Sequence, residues 1–256
     1  EYTRDATGFA LKAGHPVGEY SRLLAVYRLE FADVYDIDFF ASDIIKDQEG
    51  TSTVSSVTTT YSYNTTDNRL DPSAGTDLNA SWEFAGIGGT EHYSKYILNV
   101  RHFWPFVWGT VLSARGQVGY VHDWQNNEDV PIDERFYLGG ISTIRGFENR
   151  EVGPRDEFGD FIGGETEAFF NFEFIFPLYE ELKIKGVTFF DVGNAWSSDD
   201  YWDEDDQVFG SWRYSAGAGI RWLSPLGPMR FEYGYNLDAR DYESDSKFDF
   251  MIGRFF

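Results

Sequence analysis

The chain of 256 residues contains 21 basic and 43 acidic side chains, which give a formal net charge of −22, and it contains no cysteine. A disulfide framework and thiolate metal sites are therefore excluded, and nucleic acid is disfavoured because its phosphates are bound mainly by Lys and Arg. No apolar run approaches the ~18 residues that a membrane-spanning helix needs. Aromatic residues make up 19% of the chain, yet the mean hydropathy is −0.42. This combination is typical of a β-barrel with a lipid-facing exterior and a polar interior.

Alternating apolar and polar residues predict β-strands along the whole chain, because a side-chain period of two sends the two sets to opposite faces of a sheet. In residues 165–176, for example, Phe172 and Phe174 lie on one face, whereas Asn171 and Glu173 lie on the other. The recurring pattern predicts eleven strands, at residues 6–13, 20–32, 52–64, 75–85, 92–104, 110–122, 164–177, 182–194, 211–223, 228–236 and 247–256.

The connections between these strands alternate between short and long, as in outer-membrane barrels, which have short periplasmic turns and longer extracellular loops. The pattern predicts an all-β fold, an antiparallel transmembrane β-barrel of outer-membrane type with about 11–12 strands, formed by residues 1–256 as one domain. The longest loop, residues 122–163, would be extracellular. The alternative is a soluble β-sandwich. Aromatic residues near the ends of the predicted outer faces, such as Tyr96 and Trp104, favour the barrel because they are typical of membrane interfaces.

The odd number of predicted strands has a consequence for the two chain ends. Antiparallel strands reverse direction each time, so an odd number places the ends on opposite sides of the membrane. Bacterial single-chain barrels have even strand numbers. We therefore expect either one further strand or a chain that lacks its natural beginning, and we favour the second.

The loop 122–163 contains a distinctive motif. Its residues read Phe136-Tyr137-Leu138-Gly139-Gly140 and then Ile144-Arg145-Gly146-Phe147. This pattern strongly resembles the signature of an extracellular loop in BamA-type outer-membrane insertases. Residues 189–193 and 224–228 resemble a strand and a periplasmic turn of the same family, so the resemblance covers most of the chain.

The resemblance implies that the chain is the C-terminal part of a barrel with about 16 strands, and that the loop folds back into its lumen. In the family, acidic residues on two strands hold the arginine of the motif. Glu173 and Asp191 match these positions, and alternation places both side chains on the inner face. We therefore expect Arg145, Gly146 and Phe147 to form a loop lock with them, since an arginine fork pairs bidentately with carboxylates. Without the resemblance, the simpler interpretation is that Arg145, Glu173 and Asp191 are ordinary charged residues of the lumen.

The last predicted strand carries a second pattern. Its residues Phe248, Phe250, Ile252, Gly253 and Phe256 resemble the C-terminal signal by which outer-membrane barrels are handed to their assembly machinery. The simpler interpretation is a lipid-facing closing strand, and the two interpretations are compatible.

The function implied by the resemblance is the folding and insertion of other β-barrel proteins into the outer membrane of a Gram-negative bacterium. The implied partners are outer-membrane lipids, unfolded β-barrel substrates and accessory assembly lipoproteins. No periplasmic polypeptide-binding repeats are recognised in the sequence. Two alternatives remain open, namely a protein-secretion porin of the two-partner-secretion type from the same superfamily, and a small passive channel.

Enzymatic chemistry is not expected from this sequence. No GxSxG elbow is present, and no Ser, His and Asp occur in a recognisable catalytic order. The four histidines lack metal-ligand spacing, and the acidic run at residues 199–206 reads better as a solvated loop than as a calcium site. Neither a metal nor a cofactor is therefore expected. The inward-facing Gly217 and Gly219 are expected to admit something bulky such as the loop tip, with plain curvature as the alternative.

Overall fold

The computed structural model describes residues 3–37, 46, 48–125, 130–156, 158–197 and 211–253. These residues form eleven β-strands and two short 3-10 helices, Val107–Gly109 and Ile132–Glu134, and no described helix is long and apolar enough to cross a membrane. The strands are β1 Thr3–Pro16, β2 Ser21–Tyr35, β3 Gly50–Asn64, β4 Gly75–Ala85, β5 Tyr93–Pro105, β6 Val111–Asp123, β7 Thr166–Tyr179, β8 Ile184–Trp196, β9 Arg213–Ser224, β10 Gly227–Asn236 and β11 Ser246–Ile252. The predicted number of strands is confirmed for this part of the chain.

All eleven strands form one antiparallel sheet in chain order, from β1 to β11. Each strand pairs with the strands before and after it, so that Phe172 on β7 lies opposite Ala114 on β6 and Phe190 on β8. Within the described residues β1 and β11 are the two edges of the sheet, and no pairing joins them. The all-β class and the antiparallel order agree with the prediction from alternation.

The two faces of the sheet differ in the way that the alternation predicts. On one face, which we call the outer face, large apolar side chains such as Phe172 and Tyr233 are about half exposed. On the other, the inner face, their neighbours Glu173 and Glu232 are buried. A soluble sandwich would bury its apolar face and expose its polar face. The observed arrangement is the reverse, and it suits a sheet whose outer face meets lipid.

Two of the three apolar clusters lie between the inner face and the loop that connects β6 to β7. One cluster joins four loop residues to two strand residues, Phe169 on β7 and Ala195 on β8; the loop members are Leu138, Ile144, Phe147 and Val152. A second cluster packs the loop residues Val130 and Phe136 against β3 to β6. The loop therefore fills the interior of the sheet.

Strand ends differ from the prediction mainly at the two edges of the sheet. The first strand is longer than predicted, since polar residues such as Arg4 and Asp5 continue the pairing with β2. The last strand ends at Ile252 instead of residue 256. Gly253 follows with a φ of 113°, a left-handed conformation that glycine adopts without strain. Phe256 lies outside the described residues.

Candidate functional site

The backbone of the signature loop requires its glycines. Gly139, Gly140 and Gly146 have φ angles of 105°, 87° and 88°, which L side chains rarely adopt. A Cβ on Gly139 would also lie 2.2 Å from the carbonyl oxygen of Glu148. Thr143 fixes the same turn, because its hydroxyl accepts a hydrogen bond from the Gly139 amide at 2.9 Å. The glycines of the motif thus allow a tight turn just before the loop arginine.

The two aromatic residues of the signature hold the base of the loop. Phe136 is buried in a core cluster and forms an antiparallel bridge with Gly164. The Tyr137 hydroxyl donates to the carbonyl oxygen of Ile132 at 3.2 Å, and the Arg150 guanidinium lies 3.9 Å from its ring centre. The bridge ties Phe136 to the end of the loop just before β7, and the two contacts of Tyr137 hold separate parts of the loop together.

Arg145 lies against the inner face at β7, β8 and β10, with its side chain only 2% exposed. Its Nε and Nη2 donate to the two carboxylate oxygens of Asp191 at 2.7 and 2.6 Å, a bidentate pair. Its Nη1 donates to Glu173 at 2.7 Å and to Glu232 at 3.0 Å. The guanidinium also lies 3.6 Å from the centre of the Phe189 ring. The structure thus brings Arg145 together with Glu173 and Asp191, the two carboxylates named from the sequence.

The site is larger than the sequence suggested, because β9 and β10 contribute to it. Arg221 donates to Glu173 at 2.6 and 2.9 Å and to Glu232 at 3.0 Å. Arg230 donates to Glu232 at 2.6 and 3.1 Å. With the loop arginine and Asp191, three guanidinium groups and three carboxylates alternate in one buried network, which we call the arginine–carboxylate network. Burial of so many charges is tolerable only when each is paired and hydrogen-bonded.

Glu232, Arg221, Arg230 and Phe189 were missed as members of this site. Alternation does place the three charged residues on the inner face, so their orientation was predictable. Their place in the site was not, because strand alternation carries no information about distances between strands that are not neighbours. A usable signal exists in the register, where Arg221 lies directly opposite Arg230. Two like charges in that position are unfavourable unless a carboxylate lies between them.

Three glycines of β9 and β10 make room for the site. A Cβ on Gly217 would lie 2.4 Å from Phe189 Cζ, and a Cβ on Gly219 would lie 2.6 Å from Glu232 Cγ. The loop tip instead meets Gly234, where a Cβ would lie 2.4 Å from the backbone nitrogen of Gly146. The expectation that the first two glycines admit the loop tip is therefore wrong. Gly217 and Gly219 leave room for side chains of the sheet, and Gly234 leaves room for the loop tip.

Gly234→Ala is expected to displace the loop tip, because the added methyl group would overlap backbone atoms that have no rotamer to move into. Overpacking of this kind typically costs about 1–3 kcal/mol. Gly18→Ala is a suitable control, since its Cβ would have no neighbour closer than 3.5 Å. Cleavage of the loop by chymotrypsin should become faster in Gly234→Ala and stay unchanged in Gly18→Ala. Equal cleavage in both variants would contradict the close packing of the tip on β10.

A second contact holds the loop near its start. Glu134, in the 3-10 helix Ile132–Glu134, accepts hydrogen bonds from Arg28 on β2 at 2.7 Å and from Lys95 on β5 at 3.1 Å. The Tyr93 hydroxyl accepts a hydrogen bond from the same Arg28 at 2.6 Å. No sequence pattern pointed to Glu134, because it lies in an irregular segment without periodicity. The loop is thus tied to the sheet at two separate places.

Acidification is expected to weaken this second contact. Burial raises the pKa of Glu134, but Lys95 and Arg28 lower it by more, so that it lies below its ordinary value. Because the pKa of Glu134 is lower in the folded protein than in the unfolded chain, this contact stabilises the fold fully above the ordinary glutamate pKa. The stabilisation is lost as the pH falls through the pKa of the folded state. Glu134→Gln should therefore lower the Tm at neutral pH, and the difference from the unmodified protein should shrink below about pH 4. Glu151→Gln, an exposed position in the same loop, is the control; a pH-independent difference would contradict the assignment.

The residues of the predicted C-terminal signal lie mainly on the outer face of the edge strand. Phe248, Phe250 and Ile252 are 62%, 49% and 53% exposed, and the ring of Phe250 packs 4.8 Å from that of Phe231 on β10. Gly253 follows the strand and is exposed. Their role as a signal remains a prediction. The acidic run 199–206 also lies outside the described residues, and the described part of the chain contains no group of His, Asp and Glu residues that could hold a metal.

Comparison with known proteins identifies the family. The sequence profile of the Omp85 superfamily domain matches residues 1–256. The chain is 38% identical over 261 residues to the outer membrane protein assembly factor BamA of Nitratidesulfovibrio vulgaris, an alignment that covers 100% of this chain and 32% of that protein. The chain therefore spans about a third of the length of this curated relative.

Two solved structures share the fold. The crystal structure of BamA from Haemophilus ducreyi lacking POTRA domains 1–3 superposes with a TM-score of 0.84 at 20% identity, over 97% of this chain and 54% of that one. CdiB from Escherichia coli gives a TM-score of 0.65 at 14% identity, over 97% of this chain and 45% of that one. At these identities the likeness concerns the fold alone. Together with the match over the whole chain, it shows that the chain belongs to the Omp85 superfamily and forms part of a β-barrel of the outer membrane.

Proposed function

We propose that the protein folds and inserts other β-barrel proteins into the outer membrane. The observation that carries the proposal is the docking of the signature loop by Arg145 onto three carboxylates of the inner face, together with 38% identity to an assembly factor over the whole chain. The loop fills the interior, so the described residues offer the outer face and the edges of the sheet as surfaces for a client protein.

The edge strand β11 is the element that suits this task. Within the described residues it pairs only with β10 and forms one edge of the sheet. An exposed edge can template an incoming strand through main-chain hydrogen bonds, while alternating side-chain positions set the register. An unfolded β-barrel segment presents the same alternation, which makes it a chemically matched partner.

Lipids and accessory lipoproteins are further proposed partners. The outer face exposes aromatic and aliphatic side chains over its whole width, which suits contact with outer-membrane lipids. The accessory lipoproteins are proposed by family resemblance. No step of this function makes or breaks a covalent bond, so we propose an assembly factor without enzymatic chemistry.

The two alternatives receive less support. A protein-secretion porin is favoured only by the fold that the chain shares with CdiB, at 14% identity. A small passive channel would need an open interior, whereas the loop residues Leu138 and Ile144 are fully buried against the inner face. Both alternatives predict steady ion conduction, and an assembly factor does not.

The test uses the protein purified from outer membranes and reconstituted into lipid vesicles. An unfolded β-barrel substrate is added, and its folding is followed by its resistance to heat denaturation in electrophoresis. We expect faster folding than with empty vesicles, and little steady conductance in planar bilayers. Unaccelerated folding combined with steady conductance would overturn the proposal in favour of a porin.

A further inference from the structure

The tip of the signature loop lies beside the last hairpin of the sheet, β10 and β11. Gly146 lies against Gly234 of β10, where a Cβ would be 2.4 Å from the Gly146 nitrogen. Lys247 of β11 lies directly opposite Gly234 in the register of the two strands. The Nζ of Lys247 is 2.7 Å from a carboxylate oxygen of Glu148, two residues beyond Gly146 in the loop. The loop tip therefore contacts β10 and reaches across it to the edge strand β11.

Phe147, the loop residue between these two, contacts Arg213. Arg213 is the first residue of β9, and its side chain is only 5% exposed. Its guanidinium lies 5.0 Å from the centre of the Phe147 ring, within the distance at which a cation is attracted to an aromatic ring. Three consecutive loop residues, 146–148, thus contact the last three strands.

Arg213 also organises the segment 237–245, which joins β10 to β11. Its Nη1 and Nη2 donate to the two carboxylate oxygens of Glu243, and its Nε donates to Asp238 at 2.8 Å. The Glu243 carboxylate also accepts hydrogen bonds from the Asn236 side-chain amide at 3.2 Å and from the Arg240 backbone nitrogen at 3.0 Å. A bidentate pair of this kind fixes the orientation of both partners, because the planar fork and the carboxylate match in one geometry. The segment that leads into β11 is therefore held by an arginine that also contacts the loop tip.

We propose that the loop tip fixes the position of the edge strand β11, with Arg213 as the positioning residue. Arg213 joins Phe147 of the loop to the segment that leads into β11. Glu148 holds the strand itself through Lys247. The inference rests on the proposed assembly function, in which β11 templates a client strand. A template must keep one register, because a slip of one residue turns every side chain of the new strand to the opposite face.

The two contacts with the hairpin differ in their expected weight. In the pair of Arg213 and Glu243 both side chains are buried, at 5% and 6% exposure. Glu148 is 47% exposed, and exposed ion pairs contribute little because water and salt screen them. Loss of the buried pair should therefore loosen β11 more than loss of the exposed one.

The experiment is hydrogen–deuterium exchange of the full-length protein in lipid nanodiscs, measured at the β11 amides that pair with β10. Glu243→Gln should speed their exchange about tenfold or more, the effect of losing one charge-assisted hydrogen bond, and leave β5 and β6 unchanged. Asp241→Asn removes an exposed carboxylate of the same segment and should leave β11 unchanged as well. Unchanged exchange of β11 in Glu243→Gln would overturn the proposal. Equally faster exchange in all strands would overturn it too, because the pair would then only stabilise the fold.

A second set of variants tests the coupling to the loop. Glu148→Lys places like charges side by side and should speed the exchange of β11 about twofold to fivefold, the range that an exposed pair allows. Adding Lys247→Glu reverses the pair and should restore slow exchange. Glu151→Lys changes another exposed residue of the loop and is the control. Exchange that stays fast in the double variant, or that is equally fast in Glu151→Lys, would mean that β11 is positioned without the loop.

Two further measurements keep the result decisive. If Glu243→Gln fails to fold, Arg213→Lys keeps the charge without the fork and should speed β11 exchange by a smaller factor; no change there would contradict the role of Arg213. None of the exchange measurements uses a client protein, so failure of the unmodified protein to speed client folding would overturn the proposed function alone. Where client folding is accelerated, Glu243→Gln should slow it and Asp241→Asn should not. Equal folding rates in these two variants would overturn the link between the position of β11 and assembly.

Discussion

Arg145→Ala is expected to release the signature loop from the inner face of the sheet. The substitution removes all four side-chain hydrogen bonds that the guanidinium makes to Asp191, Glu173 and Glu232. Three buried carboxylates would then face only two arginines, Arg221 and Arg230. Removing one partner from a buried ionic network typically costs about 3–5 kcal/mol, because the remaining charge is left uncompensated. Repacking or entry of water would reduce this value.

The measurement is the rate at which chymotrypsin cleaves between His122 and Gly163, since this protease does not depend on the arginine that is removed. Cleavage should be faster in Arg145→Ala and intermediate in Arg145→Lys, which keeps the charge but not the fork. Glu151→Ala changes an exposed residue of the same loop and serves as the control. An unchanged cleavage pattern in Arg145→Ala would mean that the loop is held by other contacts.

Phe172→Arg is expected to destabilise the protein in a lipid bilayer. Phe172 is 50% exposed on the outer face and lies near the middle of β7, Thr166–Tyr179. A cationic side chain at the midplane of a bilayer costs about 2–4 kcal/mol, and the cost falls to about 0–1 kcal/mol near the interfaces. The free energy of unfolding in vesicles should therefore fall by about 2–4 kcal/mol.

Leu178→Arg provides a control for depth, because Leu178 is 52% exposed but lies at the end of the same strand beside the turn. Its substitution should have a much smaller effect in vesicles. If Phe172→Arg lowered the free energy of unfolding as little as Leu178→Arg does, the outer face could not be the one that faces lipid. Equal and large losses in both variants would instead indicate packing against protein.

Much of the site could be predicted once the faces of the strands were known. Alternation places Glu173 and Asp191 on the inner face, and the motif supplies the loop arginine, so their pairing needed only the family resemblance. Glu134 could not be predicted, because an irregular segment has no period from which to read an orientation. Gly234 could not be predicted either, since its role depends on how closely the loop tip approaches β10.

The sequence by itself determined the number of strands and their faces, because both depend on a side-chain period of two. Only the tertiary structure decided that Glu232 and Arg221 join the site, that Gly217 and Gly219 make room for side chains of the sheet, and that the loop is held at two places. These contacts join residues that are far apart in the chain. Their distances depend on the curvature of an eleven-stranded sheet and on the docking of the loop, which no local pattern records.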